Sequence, residues 1–211
     1  INHHKDKIYN LFRNSMKTLF LIRHGKASLE GSDRERGLTE EGIEHAKQIS
    51  DILLKVEPKI QKIFSSPLRR AILTIEPLSQ ATNLETNIVE ALHEKITGDT
   101  EGRNLNEEKK KMWEDFDSKL PGGESSSEAT QRALSGLNSI LNDLPENGSA
   151  AVQCHGTLIA LILHNYDSSF GFDQWKSMTM PDIYQINYDG EKAQIIHIGC
   201  ENIETFKIGD K

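Results

Sequence analysis

The chain has 211 residues and a formal net charge of −7, from 25 basic and 32 acidic residues. This length favours one domain, or one domain with an insertion, over two. The net negative charge argues against nucleic-acid binding and anionic-membrane binding, because both partners attract basic surfaces. No apolar run approaches the roughly 18 residues of a membrane span, so we expect no membrane segment. Two cysteines are too few for a disulfide scaffold, and the simpler expectation is a cytoplasmic protein.

The segment 1–15 is charged and lacks the apolar centre of a signal peptide. Because terminal segments are often frayed, we expect 1–15 to be a flexible N-terminal tail. The folded part is then a single domain over 16–211.

The first half of the chain alternates short apolar runs with helical patterns. The run 17–23 (KTLFLIR) is typical of a buried parallel strand. The stretch 38–42 places a Thr cap before two acidic residues, which predicts the start of a helix. A second strand is predicted over 60–64. Ser66-Pro67 then predicts the next helix, with Ser66 as its N-cap and Pro67 at its first position.

The middle of the chain is more polar than the segments before and after it. A third short strand is predicted over 88–92, and the sequence from 93 to 126 is polar and mixed in charge. This segment predicts an insertion with one helix over about 107–116. Because such loops often carry functional groups, we interpret 93–126 as a lid over a site. The aromatic residues Trp113 and Phe116 are expected either in that lid or in the packing of the insertion.

The last third of the chain returns to alternating strands and helices. Ser125 and Glu128 form the capping-box pattern that begins a helix. Residues 150–154 predict a fourth strand, 157–164 a helix, and the stretch from 183 to 198 a hairpin. Strands that alternate with helices predict an α/β fold with a mostly parallel sheet.

Two of the predicted strands end in a His-Gly pair. His24-Gly25 follows the first strand and His155-Gly156 follows the fourth. Ligands of parallel sheets bind beyond the carboxyl ends of the strands, so neighbouring strands would bring both imidazoles to one crevice. The motifs of dinucleotide binding, P-loop hydrolysis and the serine hydrolase elbow do not occur in the sequence.

Arginines accompany these strand ends. Arg23 ends a buried strand, where a guanidinium group is costly unless it meets an anion or an acid. Arg69 and Arg70 lie in the first turn of a predicted helix, against the positive end of its dipole. That position is unfavourable for a cation unless an anion binds there as well. The pattern indicates an anion-binding site.

Taken in order, these motifs resemble the histidine phosphatase superfamily, which contains the cofactor-dependent phosphoglycerate mutases and many phosphatases. The resemblance covers residues 16 to about 198 and implies a three-layer α/β/α sandwich with 93–126 as the lid insertion. The matching motifs are Arg23-His24-Gly25, Leu38-Thr39-Glu40-Glu41-Gly42, Ser65-Ser66-Pro67-Leu68-Arg69-Arg70-Ala71, Glu94, Glu101-Gly102, Pro121-Gly122-Gly123-Glu124-Ser125 and His155-Gly156.

The resemblance implies a role for each matching residue. His24 resembles the nucleophile that accepts a phosphoryl group, and Glu94 resembles the acid that protonates the leaving oxygen. Arg70, rather than Arg69, resembles the functional arginine because it directly precedes alanine. The residues implied to form the phosphate pocket and assist catalysis are Arg23, Arg70 and His155, with the backbone of Gly156.

Elementary chemistry agrees with these implied roles. Attack on a phosphomonoester needs a neutral imidazole, and neighbouring cations favour that form of His24. Guanidinium groups match phosphate oxygens and stabilise a transferring phosphoryl group. Since arginines neutralise the charge, we expect no metal and no other cofactor.

We therefore predict a phosphomonoester phosphatase that acts on a small phosphorylated metabolite through a phosphohistidine on His24. A phosphoglycerate mutase is one alternative, but mutases usually have Glu and Asn where this chain has Lys26 and Glu30. A phosphohistidine or phosphoprotein phosphatase is another, since 33–37 followed by Leu-Thr resembles that branch, which normally lacks the insertion. A non-catalytic phosphate-binding module is the third. The physiological substrate and the oligomeric state are left open.

Overall fold

The computed structural model describes residues 16–200, so the predicted tail over 1–15 and the end of the predicted domain lie outside the described residues. The described chain alternates strands and helices in the order that the sequence predicts, with one additional short helix, Phe172–Ser177, before the final hairpin. The strands are β1 (Lys17–Arg23), β2 (Lys62–Ser65), β3 (Thr86–Ile88), β4 (Ser149–Cys154), β5 (Asp182–Tyr188) and β6 (Ala193–His197). The helices are α1 (Glu40–Leu53), α2 (Arg69–Thr82), α3 (Leu105–Glu114), α4 (Ser126–Asp143), α5 (Gly156–Tyr166) and α6 (Phe172–Ser177), with a 3-10 turn at Glu90–Leu92.

The six strands form one mixed sheet in the order β3-β2-β4-β1-β5-β6. Three neighbouring pairs, β3-β2, β2-β4 and β4-β1, are parallel, and the pairs β1-β5 and β5-β6 are antiparallel. The prediction of a mostly parallel central sheet is therefore confirmed. Strands β1 and β4, which carry the two His-Gly pairs at their ends, lie side by side with Arg23 opposite Cys154.

Helices cover both faces of the sheet, as the side chains of β1 show. Leu19 and Leu21 pack into one apolar cluster with α4 and α5, whereas Phe20 and Ile22 pack into a second cluster with α1 and α2. All four side chains are at most 2% exposed, and each fully buried apolar side chain contributes about 1.5–3 kcal/mol of transfer free energy. The predicted three-layer α/β/α sandwich is thus confirmed.

The structure corrects the third predicted strand. Strand β3 ends at Ile88, and the residues that follow form the 3-10 turn instead of continuing the strand. Leu92 is fully buried in the cluster with α4, and a side chain on Gly136 of α4 would come within 3.0 Å of Ala91 Cβ. Packing against a helix, rather than pairing in the sheet, explains the apolar character of this run.

The start of α2 also differs from the prediction. The helix begins at Arg69, its N-cap is Leu68, and no side chain caps it. The Ser66 hydroxyl instead lies 2.7 Å from His155 Nε2 and accepts a hydrogen bond from Leu68 N at 3.3 Å. Ser66 therefore connects two elements instead of capping one, whereas the capping box of Ser125 and Glu128 at α4 is confirmed.

The segment 93–126 leaves the sandwich and returns to it. Its two ends are joined by backbone hydrogen bonds from Glu124 N to Ile96 O (2.8 Å) and from Asp99 N to Pro121 O (2.9 Å). Helix α3 begins two residues before the predicted helix and has no buried residue. Trp113 and Phe116 pack against the apolar cluster on the α4 and α5 face and contact the His164 ring, with centroid distances of 5.7 and 4.8 Å. Within residues 16–200 no helix is long and apolar enough to cross a membrane.

Candidate active site

The two His-Gly pairs meet beyond the carboxyl ends of β1 and β4. The rings of His24 and His155 have centroids 5.2 Å apart and planes 63° apart, an edge-to-face contact. Because β1 and β4 are adjacent and parallel, the chain leaves both strands at the same edge of the sheet. The structure therefore brings together the two imidazoles that the sequence analysis selects.

The imidazole of His24 is held in one protonation form. Its Nδ1 lies 2.7 Å from the carbonyl oxygen of Gly25, and since a carbonyl only accepts, Nδ1 carries the proton. Burial lowers the pKa of His24 to about 3; the Gly25 hydrogen bond opposes this shift, and the charges of Arg70 and Arg23 reinforce it. The ring is consequently neutral at physiological pH, with the lone pair on Nε2.

Close packing beneath His24 requires a glycine at position 25. A side-chain carbon on Gly25 would lie 2.7 Å from the carbonyl oxygen of Gly42 in the first turn of α1. The Gly25 amide donates to Thr74 Oγ1 of α2 at 3.1 Å. Contacts from α1 and α2 thus fix the backbone that orients the His24 ring.

Arg23 brings a buried cation to the same strand end. The side chain is 5% exposed, and its Nη1 donates to the carbonyl oxygens of Met178 (3.2 Å) and Thr179 (2.7 Å). Burial lowers the pKa of Arg23 to about 10, against the opposing charges of Glu94 and Asp182, so the group stays protonated.

Gly156 leaves room for this guanidinium group. A side-chain carbon on Gly156 would lie 2.9 Å from Arg23 Nε. The second His-Gly pair therefore has a steric reason for its glycine, because any side chain there would displace Arg23.

Arg70 reaches the site from the first turn of α2. It is 2% exposed, and its Nη1 lies 2.6 Å from the backbone oxygen of Asp33 and 3.2 Å from the Asp33 carboxylate. Burial lowers the pKa of Arg70, and the Asp33 charge opposes this effect. Arg69, by contrast, is exposed, so the structure distinguishes the two arginines as the sequence analysis does.

A further arginine, Arg36, enters the site without a role in the sequence analysis. Its Nη2 lies 2.7 Å from the Asp33 carboxylate, so Asp33 bridges Arg36 and Arg70. The Arg36 charge lowers the pKa values of His24 and His155, although burial is the larger cause in both cases. Its only sequence signal is its place in the 33–37 stretch, which has no periodicity that would locate it near the strand ends.

His155 is fully buried at the N-cap of α5. Burial is the main cause of a pKa well below the ordinary value, and the charges of His24 and Arg70 lower it further. Its Nε2 contacts the Ser66 hydroxyl, a positioning contact that the sequence analysis missed because it assigns Ser66 to a helix cap. A histidine in this environment stays neutral.

Several nitrogen atoms of the site are buried without a hydrogen-bond partner within residues 16–200. Buried polar atoms are almost always paired, so a group of unpaired atoms around His24 and His155 indicates a ligand site. These atoms are Arg23 Nε, Arg36 Nε, Arg70 Nε and His155 Nδ1. With three guanidinium groups among them, the crevice is suited to an oxyanion.

Glu94 approaches the same crevice from the start of the 93–126 insertion. Its carboxyl group accepts hydrogen bonds from the backbone amides of Thr157 (3.2 Å), Leu158 (3.1 Å) and Lys95 (2.8 Å). The first two amides belong to the first turn of α5, where an acidic group is favoured by the helix dipole. The same helix N-terminus therefore presents His155 and anchors Glu94.

The other histidines near the site are held by protein groups. His93 is half-buried, and its Nδ1 donates to the carbonyl oxygen of Glu94 at 2.8 Å. His45 lies on the buried side of α1 and is 2% exposed, with Lys26 N donating to its Nδ1 at 3.4 Å. No group of three or more His, Cys, Asp or Glu side chains between residues 16 and 200 is placed to hold a metal ion.

Comparison with known proteins identifies the family. The model of the histidine phosphatase superfamily (branch 1) matches residues 19–201. The chain belongs to this superfamily. Among curated relatives, a 2,3-bisphosphoglycerate-dependent phosphoglycerate mutase of Mesorhizobium japonicum is 29% identical over 197 residues, which are 84% of this chain and 96% of the mutase. A Schizosaccharomyces pombe protein named as a probable phosphatase is 29% identical over 89% of this chain and 91% of its own length.

Solved structures share the fold of this chain, and one of them carries a phosphatase name. A mycobacterial glucosyl-3-phosphoglycerate phosphatase superposes with a TM-score of 0.69 at 20% identity, covering 87% of this chain and 98% of that chain. The Bacillus stearothermophilus protein YhfR superposes with a TM-score of 0.70 at 24% identity, covering 86% and 96%. These similarities establish the fold, and the superfamily includes both phosphatases and mutases.

Proposed function

We propose that the protein is a phosphomonoester phosphatase that works through a phosphohistidine on His24. The substrate class is a small phosphorylated metabolite. The observation that carries the proposal is the state of His24, whose Nδ1 is held as a donor by the Gly25 carbonyl and whose ring is neutral among cations. A neutral imidazole with a lone pair on Nε2 is the form that can attack phosphorus.

The first step transfers the phosphoryl group to His24. Nε2 forms a bond to phosphorus while the bond from phosphorus to the ester oxygen breaks. The buried arginines Arg23 and Arg70 offer unpaired donors to the oxygens on which negative charge is concentrated. Glu94 gives its proton to the departing oxygen, so that an alcohol leaves rather than an alkoxide.

The second step returns the enzyme to its starting state. Glu94, now a carboxylate, takes a proton from a water molecule as that water attacks phosphorus. The bond from phosphorus to His24 Nε2 breaks, and inorganic phosphate is released. One proton has moved from Glu94 to the alcohol and one from water to Glu94, so the cycle balances without a cofactor.

The surroundings of the insertion favour a phosphatase over a mutase. A mutase must also hold the carboxylate of its substrate, and the insertion is where this chain offers additional cations. Arg103, Lys110 and Lys111 instead pair with carboxylates of α3 itself, at 3.9, 3.7 and 3.0 Å. Lys26, where mutases usually have Glu, pairs with Glu41 at 2.6 Å.

Trapping the intermediate tests the proposal. Brief reaction of the wild type with a labelled aryl phosphate should leave acid-labile, alkali-stable phosphate on the protein. The His24→Ala variant should carry no label, and its kcat should fall by at least about 10³-fold because the covalent nucleophile is lost. Unchanged turnover in His24→Ala would reject the proposal. Binding of phosphate esters without turnover by the wild type would favour a non-catalytic phosphate-binding module.

Substrate panels separate the enzyme classes. Supplying carbon-labelled 3-phosphoglycerate with a trace of unlabelled 2,3-bisphosphoglycerate should yield no labelled 2-phosphoglycerate; conversion of the label to the 2-isomer without release of inorganic phosphate would establish a mutase. A screen of sugar phosphates, phosphoglycerates, nucleotides and phosphohistidine peptides then identifies the substrate class. Turnover confined to the peptides would assign a phosphohistidine phosphatase instead.

A further inference from the structure

An ion pair beside the site joins the insertion to α4. Arg132 Nε and Nη2 lie 2.8 Å from Glu124 Oε1 and Oε2 respectively, which makes two parallel charge-assisted bonds. We call this pair the Arg132–Glu124 clamp. Its side chains are only 20% and 17% exposed, so solvent screens the pair weakly. Two-point contacts of this kind fix direction as well as distance.

The clamp holds the chain on both sides of Glu94. Before Glu94, the remaining Arg132 nitrogen, Nη1, donates to the carbonyl oxygens of Ala91 (2.6 Å) and His93 (3.1 Å). After Glu94, the Glu124 carboxylate accepts from the amide of Ile96 at 3.0 Å. Two charged side chains therefore make three hydrogen bonds to the backbone of a six-residue stretch that has Glu94 near its centre.

This arrangement limits where the Glu94 carboxyl group can lie. The half-buried Glu94 side chain meets the α5 amides at 3.1 and 3.2 Å, and those contacts depend on the position of its own backbone. A 1 Å displacement of a reacting group can lower a rate by about 10²-fold. The position of Glu94 is thus influenced by a pair of residues that contacts its flanking backbone and not the reacting atoms.

We infer that the Arg132–Glu124 clamp is a positioning pair that aims Glu94 at the leaving oxygen. The inference rests on the proposed function, in which Glu94 supplies the proton for the departing alcohol. Neither Arg132 nor Glu124 touches the substrate in this scheme. The clamp acts through Glu94 alone. This distinguishes it from an ion pair that only stabilises the fold.

Leaving-group dependence distinguishes positioning from general support. An alkyl phosphate needs protonation of a poor leaving group, whereas p-nitrophenyl phosphate releases a stable anion with little help from an acid. Loss of the clamp should therefore lower kcat/KM for glycerol 2-phosphate by about 10- to 10²-fold, and for p-nitrophenyl phosphate by less than about threefold. Loss of an ion pair that only stabilises the fold would lower kcat/KM for both substrates equally.

The variants are Glu124→Gln, Arg132→Lys and Arg132→Met, with Lys119→Met as the matched control. Lys119 pairs with Glu128 at 2.6 Å in the first turn of the same helix, outside the contacts to the Glu94 stretch, so its removal should leave both substrates unaffected. Arg132→Lys keeps the charge but loses the two-point geometry, and should resemble Arg132→Met more than the wild type. If Arg132→Met does not fold, Glu124→Gln, which keeps the side-chain shape, decides the outcome.

A double-mutant cycle with Glu94→Gln completes the test. In that background the clamp variants should lose no further activity on glycerol 2-phosphate, because their effect passes through Glu94. Equal losses on both substrates, or an undiminished loss in the Glu94→Gln background, would overturn the inference. Failure of the wild type to form the His24 phosphoenzyme would instead reject the proposed function, so the two failures are distinguishable.

Discussion

The proposed phosphate pocket and the 93–126 insertion are built in opposite ways. The pocket side chains Arg23, His24, Arg70 and His155 are all at most 8% exposed, and each extends from the end of a core strand or from the first turn or N-cap of a core helix. Helix α3 of the insertion has no buried residue. It packs against the apolar cluster of α4 and α5 through Trp113 and the following Phe116. The core therefore fixes the position of the groups proposed to react, whereas α3 lies outside that core.

This contrast separates two properties of the enzyme. The groups that we propose to meet the phosphoryl group are held at the edge of the sheet, where desolvation also favours the neutral form of both histidines. If the insertion is the proposed lid, groups that meet the rest of the substrate belong to a segment outside the sheet. Glu94 lies at the junction: its carboxyl group is anchored to α5, and the clamp holds the backbone before and after it.

The largest effect is expected from the buried member of the Arg69 and Arg70 pair. Arg70→Met removes a donor to the transferring phosphoryl group and should lower kcat by about 10²- to 10³-fold. Arg69→Met is the matched control, because this neighbouring arginine is exposed, and it should change kcat less than about twofold, as for a surface substitution. Steady-state kinetics with p-nitrophenyl phosphate measures both. Similar losses would contradict the separation of pocket from surface.

An intermediate effect is expected on stability in acid. The unfolded state binds a proton on His24 near pH 6.5, whereas the folded state does so only near pH 3, so unfolding becomes easier as pH falls through this window. The stability lost through His24 should approach about 1.4 kcal/mol per pH unit, and His24→Gln should lack this part of the slope. Urea unfolding of both proteins between pH 4 and 6 measures the difference. Parallel slopes would show that His24 is not desolvated in the folded state.

The smallest effect is expected in the insertion. Trp113→Ala removes aromatic contacts to Phe116 and His164 that are worth about 0.5–1.5 kcal/mol, and should loosen α3 locally. Hydrogen exchange should accelerate at amides of 105–116 and stay unchanged in β1 and β4. Lys110→Ala, which removes only an exposed ion pair of α3, serves as the control and should accelerate exchange less. Faster exchange in β1 would show that the insertion supports the core.

The sequence predicts those site residues that lie at strand ends and at helix starts. The apolar runs that end at Arg23 and before His155 predict two parallel strands, which the structure places side by side, whereas only the family resemblance distinguishes Arg70 from Arg69. The sequence does not predict side-chain contacts between segments that are far apart in the chain. The hydroxyl of Ser66 meets His155, 89 positions away, although its local pattern is that of a helix cap. Arg36 reaches the site from an irregular loop, and the run before Glu94 packs on α4, which periodicity alone does not distinguish from a strand.

The joined base of the insertion has a consequence for the length of chain that it closes. Because Ile96 pairs with Glu124 and Asp99 with Pro121, the segment 100–120 begins and ends at nearly the same place. Closing a longer flexible loop costs only about 0.6 kcal/mol for each doubling of its length. A change in the length of 100–120 should therefore cost little in loop closure, and the strands that carry His24 and His155 should keep the same register.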